Sequence, residues 1–175
     1  MKKLVLGLAT LLITATGAMA DRYQDAMRVF YADNIMQWAS DPVLVAAIKA
    51  QNAATADYDQ ATIDDLDKQW RSYVYIPNAE MIRNVLSNPA AEFLRTQINN
   101  TGGAITEAFI MDAHGLNVAA SGATSDYWQG DEAKFQQTYD VGPEGLHFGA
   151  VELDDSTGTL QGQISLTVVD PETGE

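Results

Sequence analysis

The sequence predicts an α+β domain, with its helices in the front half and an antiparallel sheet behind them. Three observations carry that expectation. Apolar residues recur near helical spacing along the front half, then change to alternation close to Thr106. Ala108-Phe109-Ile110-Met111, Asp112-Ala113-His114-Gly115 and Leu116-Asn117-Val118-Ala119-Ala120 read as strand, turn and strand. In that hairpin Gly115 supplies a positive φ, and Asp112 braces the turn through a side-chain-to-backbone bond. Setting aside the first 20 of 175 residues leaves 155, the size of one domain with room for a core.

Those first 20 residues have the pattern of a secretory leader. Lys2 and Lys3 form a basic start, Leu4 to Ile13 an apolar stretch, and Ala18-Met19-Ala20 a small-x-small cleavage site. The expectation is a mature chain from Asp21, exported to the periplasm, with residues 21–175 as a single domain. An uncleaved anchor is the alternative, but the apolar stretch is short for a span of about 20 residues. Losing Lys2 and Lys3 takes the basic count from 10 to 8 against 24 acidic residues, and the formal charge from −14 to −16. Such a chain repels nucleic acid and anionic membrane surfaces. It has no cysteine, so disulfides, thiolate metal sites and cysteine nucleophiles are excluded.

Taken in order, Tyr23, Ala26, Met27, Phe30, Ile35 and Trp38 predict an amphipathic helix from Arg22 to about Trp38. Ser40-Asp41-Pro42 supplies a break, a cap and a first-turn proline for a second helix to about Ala53. Thr62 is expected to cap a third, carrying Ile63, Leu66, Trp70 and Tyr73, with Asp64 and Asp65 suited to its positive end. Short helices follow from Glu80 to Val85 and, after Asn88-Pro89, from Ala90 to Ile98.

Beyond the hairpin, a polar excursion carries Tyr127 and Trp128, and Gly130-Asp131 opens a helix expected to reach Tyr139. Leu146 to Leu153 and Thr159 to Val169 read as strands joined by a turn at Asp154–Gly158. Asp170-Pro171-Glu172-Thr173-Gly174 reads as a further hairpin turn, which raises the expectation that the domain is incomplete at its C-terminal end.

In this order the residues resemble the extracytoplasmic Cache domains, PAS-like sensor modules of bacterial receptors and histidine kinases. Phe109 to Gly115 is similar to the family's strand-Asp-x-x-Gly hairpin, and Val118-Ala119-Ala120-Ser121 to the segment after it. Asp126-Tyr127-Trp128-Gln129-Gly130-Asp131-Glu132 resembles the start of its ligand loop. Asp154, Ser156, Thr157 and Gly158, with Gln163 to Gly174, resemble its third and fourth strands. The likeness covers roughly Thr106 to Gly174. It implies a PAS-like antiparallel sheet preceded by a long N-terminal helix and a small helical layer. It also implies a free-standing periplasmic sensor that binds a small molecule without catalysis.

Tyr127, Trp128, Lys134, Tyr139 and His147 are the expected ligand-binding residues. The aromatics offer apolar walls with polar tips. Lys134, a rare cation in an acidic chain, can pair with a carboxylate, so an amino or organic acid is the expected ligand class. Core aromatics and a solvated lysine are the competing explanation. His114 is expected to face solvent from its turn. No spacing of metal ligands, nucleophile motif or phosphate-cradling glycine loop stands out, so no cofactor, metal or catalytic residue is expected. A membrane-bound receptor or histidine kinase is the expected partner, with a homodimer through the N-terminal helix as a further expectation. The alternative function is an accessory subunit that docks on such a receptor and takes no small molecule.

Overall fold

The computed structural model describes residues 15–154 and 158–174. Among the described residues the front half forms five α-helices: α1 (Ala15–Phe30), α2 (Pro42–Thr55), α3 (Gln60–Tyr73), α4 (Glu80–Leu86) and α5 (Pro89–Asn100). Behind them come β1 (Phe109–Met111), β2 (Asn117–Ala120), α6 (Ala133–Gln136), β3 (Leu146–Phe148), β4 (Glu152–Asp154), β5 (Thr159–Gln161) and β6 (Ile164–Leu166). The α+β class expected from the sequence is what the chain adopts. The first 14 residues of the expected leader, and most of the turn expected at Asp154–Gly158, lie outside the described residues. α1 runs through the expected cleavage point at Ala20–Asp21. Among the described residues no helix is long and apolar enough to cross a membrane.

Side-chain caps set the starts of α2, α3 and α5. Asp41 accepts Val43 N at 2.9 Å, with Pro42 in the first turn of α2. Asn88 accepts Ala91 N at 2.9 Å and starts α5 in the same way. The cap of α3 is Asp59, not Thr62: Asp59 Oδ1 takes both Thr62 N at 2.8 Å and Thr62 Oγ1 at 2.7 Å. Thr62 therefore sits one turn inside, as the donor to the cap. The expected helix to Trp38 changes character at Tyr31–Ile35, where the backbone widens to a π turn. The helix expected from Asp131 to Tyr139 is only the single turn Ala133–Gln136, and a 3₁₀ turn follows at Tyr139–Val141.

β1 and β2 form the expected antiparallel hairpin, with Ile110 opposite Ala119. Gly115 has φ +82°, and Asp112 Oδ1 accepts both His114 N and Leu116 N at 2.9 Å, so the turn is braced as its composition requires. The two long strands expected afterwards are each broken. β3 pairs with β6 and β4 with β5, as separate two-stranded ladders. The breaks fall around Gly149 and Gly162. At Gly162, between β5 and β6, a Cβ would stand 2.7 Å from the Met27 sulfur, so α1 packs against the chain where the side chain is missing.

The core lies where the helices cover the hairpin. Leu44 of α2, Ala90, Ala91 and Leu94 of α5, and Ile110, Val118 and Ala119 of the hairpin form one buried cluster. Trp70 of α3, Ile82 and Val85 of α4, and Ala120 form a second. β2 is buried along its whole length, which suits its run of small and β-branched side chains. The helices thereby hold β1 and β2 rigidly at the edge of the space described next.

Candidate functional site

Between the hairpin and the C-terminal strands lies a cavity of about 1470 Å³. α1 reaches it with Met27 and Phe30, α2 with Leu44 and Ile48, and β1 and β6 with their full lengths. Its walls are mainly apolar, because α1 and α2 turn their amphipathic faces toward it. Charged side chains enter at a few points, among them Lys134 from α6, Glu107 from the segment ahead of β1, and the Lys49–Asp170 pair. An apolar cavity with a few converging polar groups is the usual form of a small-molecule site.

Lys134 is half-buried, and its surroundings are specific. Its Nζ lies 2.9 Å from Gln129 Oε1, 3.0 Å from Glu132 Oε2 and 5.3 Å from the centroid of the Phe109 ring. The Phe109 face thus supports the cation from β1 while the two polar partners hold it from the excursion. Glu107 is partly solvent-facing. Burial pushes its carboxyl above the ordinary 4.5, and the Lys134 charge pulls it back down. Tyr139 stacks on Phe135 with ring centroids 5.1 Å apart and also lines the cavity, although 48% of it is exposed.

The other three residues singled out by sequence are not part of the lining. Tyr127 stacks on Trp70 with centroids 5.4 Å apart, and burial pushes its phenol up to about 12. Trp128 donates from Nε1 to His114 O at 2.8 Å and bridges antiparallel to Leu116. Together these contacts lay the segment Tyr127–Gln129 along the outer edge of β2, where Asn117 N donates to Tyr127 O at 3.0 Å and Gln129 N to Gly115 O at 2.8 Å. His147 lies on β3, opposite Ser165. The structure therefore brings Lys134 and Tyr139 to one cavity and leaves Tyr127, Trp128 and His147 elsewhere. His114 is half-buried, not turned to solvent; its Nε2 lies 3.0 Å from Thr55 O.

Sequence reasoning missed two groups. Glu107 stood in an apolar run without a partner close in sequence. Asp67 is buried and accepts Tyr127 N at 2.9 Å and Trp128 N at 3.1 Å, while its other oxygen takes Arg71. Arg71 Nε also lies 3.0 Å from Asp126 Oδ1, so one helix anchors the whole start of the excursion. The signal for Asp67 was its spacing: it shares the apolar face of α3 with Ile63 and Trp70, where a carboxylate needs a reason. Among the described residues no group of three or more acidic, histidine or cysteine side chains is placed to hold a metal ion. Compared with protein-family models, curated proteins and solved structures, the chain matches none.

Proposed function

We propose that this chain is a periplasmic sensor domain of the PAS-like Cache type. In that reading it captures a small carboxylate-bearing metabolite in the cavity and does no chemistry on it. The observation that carries the reading is Lys134, held at the wall of a large apolar cavity by fixed neighbours. An ammonium has three donors. Gln129 and Glu132 take two, and no third acceptor for it stands among the described residues, so in this reading a ligand carboxylate takes the third beside the Phe109 ring. Glu107, close enough to feel the Lys134 charge, is placed to receive an amino group on the same ligand. The leader-like composition of the first 20 residues and the hairpin-loop-strand order support the periplasmic sensor part of the reading. A receptor or histidine kinase in the membrane is its partner.

A thermal-shift screen of amino and organic acids tests this. A ligand at a hundred times its dissociation constant adds about 2.7 kcal/mol to stability. The reading requires at least one carboxylate-bearing compound to raise the midpoint, and uncharged analogues to fail.

A second reading has its own support. The end of α3 and its connection to α4 expose Tyr73, Tyr75 and Ile76, with Tyr75 91% exposed. That patch suits an accessory subunit docking on a receptor through its helical layer. A flat screen, together with loss of receptor binding in Tyr75→Ser, would favour it.

A further inference from the structure

The two ends of the cavity differ in charge, and the walls between them are apolar. Lys134 marks one end. Its Nζ lies 5.3 Å from the ring of Phe109, the first residue of β1. The other end is set by α2. Ala113 N donates to Asn52 Oδ1 at 2.7 Å, so the last turns of α2 lie beside the turn that follows β1. One helical turn before Asn52, Lys49 Nζ lies 2.5 Å from Asp170 Oδ2. The second Asp170 oxygen accepts Glu172 N at 2.9 Å. The far end is therefore an ion pair closed within the chain, and Lys134 is the end that receives an anion.

From Phe109 to Asp112 the chain rises about 10 Å, at about 3.3 Å per residue. The walls of the same space include Met111 of β1, Ile48 of α2, Met27 and Phe30 of α1, and Leu166 and Val168 from the C-terminal side. All six are large and apolar, and all six are only half-buried. A compact amino or organic acid held at Lys134 covers few of them. The cavity, at about 1470 Å³, also exceeds the roughly 300–1,000 Å³ of sites that enclose drug-sized ligands. Both facts call for a ligand with a long apolar part.

We infer that the ligand is a straight-chain monocarboxylate, with its carboxylate on Lys134 and its alkyl tail laid along β1 toward α2. This rests on the reading of Lys134 as the anion partner and adds the tail to it. Each methylene that covers these walls leaves water for an apolar surface, so affinity grows with chain length. A second carboxylate at the end of the tail would meet Lys49 already neutralised by Asp170 and would lose its water among apolar side chains. One head and one tail is the form that fits. Glu107, within reach of the Lys134 charge, stays at the head and can take an α-amino group where the acid carries one.

Calorimetric titration of the 175-residue chain with butanoate, hexanoate, octanoate and decanoate, each below its micelle concentration, tests the tail. Affinity should rise about threefold for every methylene added. Ile48→Gln and Phe30→Ser, on two different helices, should each flatten that slope, with thermal midpoints checking that the variants fold. Lys134→Ala should weaken every acid by the same factor and keep the slope. Octanedioate should bind about tenfold or more weakly than octanoate. Equal affinity along the series, or a slope untouched in both wall variants, would overturn the tail and leave the Lys134 reading in place. Octanedioate as tight as octanoate would overturn the single head. Octanol as tight as octanoate, or no acid bound at all, would overturn the Lys134 reading and this inference with it.

Discussion

Asp67 of α3 accepts the backbone N–H of Tyr127 at 2.9 Å, across 60 residues of sequence. Asp67 is 4% exposed and its carboxylate takes a second N–H from Trp128, so α3 fixes the path that leads to α6 and Lys134. Asp67→Ala leaves two backbone donors without their acceptor and Arg71 with Asp126 alone. We expect a loss of about 3 kcal/mol in denaturant unfolding, and a smaller loss for Asp67→Asn, which keeps one acceptor oxygen.

Tyr127 makes the fold sensitive to alkali. Burial first, then the Asp112 charge and Tyr58, raises its phenol from 10 to about 12. The folded value exceeds the unfolded one, so the stability held by the neutral phenol is complete below pH 10 and is lost as pH rises through about 12. Unfolding free energy should fall by about 2 kcal/mol across that window. Tyr127→Phe, which keeps the stack on Trp70, should remove that part of the decline.

Two glycines of positive φ separate conformational strain from collision. A Cβ on Gly115 would stand 2.7 Å from both Cα and N of Gly130, at φ +82°. At Gly102, φ +63°, it would meet nothing within 4 Å. Gly102→Ala should cost about 1 kcal/mol from backbone strain alone. Gly115→Ala should cost clearly more, because backbone must move, and the difference is readable in thermal midpoints.

Lys134→Ala removes the cation from the cavity wall. Affinity for a carboxylate-bearing ligand should fall by about 1.5–3 kcal/mol, the scale of a charge-assisted hydrogen bond. Stability should also fall, by about 1 kcal/mol, since the contacts to Gln129, Glu132 and the Phe109 ring go with it. Calorimetric titration of the variant with any ligand found for the parent chain separates the two effects.

Local chemistry was readable where the partners lie within a few residues. The Asp112–Gly115 turn, the Asp41 and Asn88 caps and the first-turn prolines all act over four positions or fewer, and each stands where its residue type predicts. The mistaken Thr62 cap is a displacement of three positions, caused by two side chains able to cap and one stronger acceptor, Asp59. The long strands were over-read because Gly149 and Gly162 look neutral in an alternating pattern, yet Gly162 gives way to Met27 from a helix more than a hundred residues earlier. The aromatics fared likewise. Nothing near Tyr127 in sequence announces Trp70, and without that partner a buried stack and a pocket wall read alike. Lys134 on α6 and Tyr139 at the start of the following 3₁₀ turn reach the same cavity because they lie close together in sequence, where local reasoning has most reach.

The central claim is that a carboxylate-bearing ligand binds at Lys134 inside the cavity. An NMR titration of the isotope-labelled chain with the best compound from the thermal-shift screen tests it most directly. The account predicts saturable shifts at Lys134, Glu107, Phe109 and Tyr139, with Trp128 and His147 unmoved, and their loss in Lys134→Ala. Shifts centred on Tyr127, Trp128 or His147, or saturable binding that leaves the Lys134 and Glu107 signals in place, would contradict it.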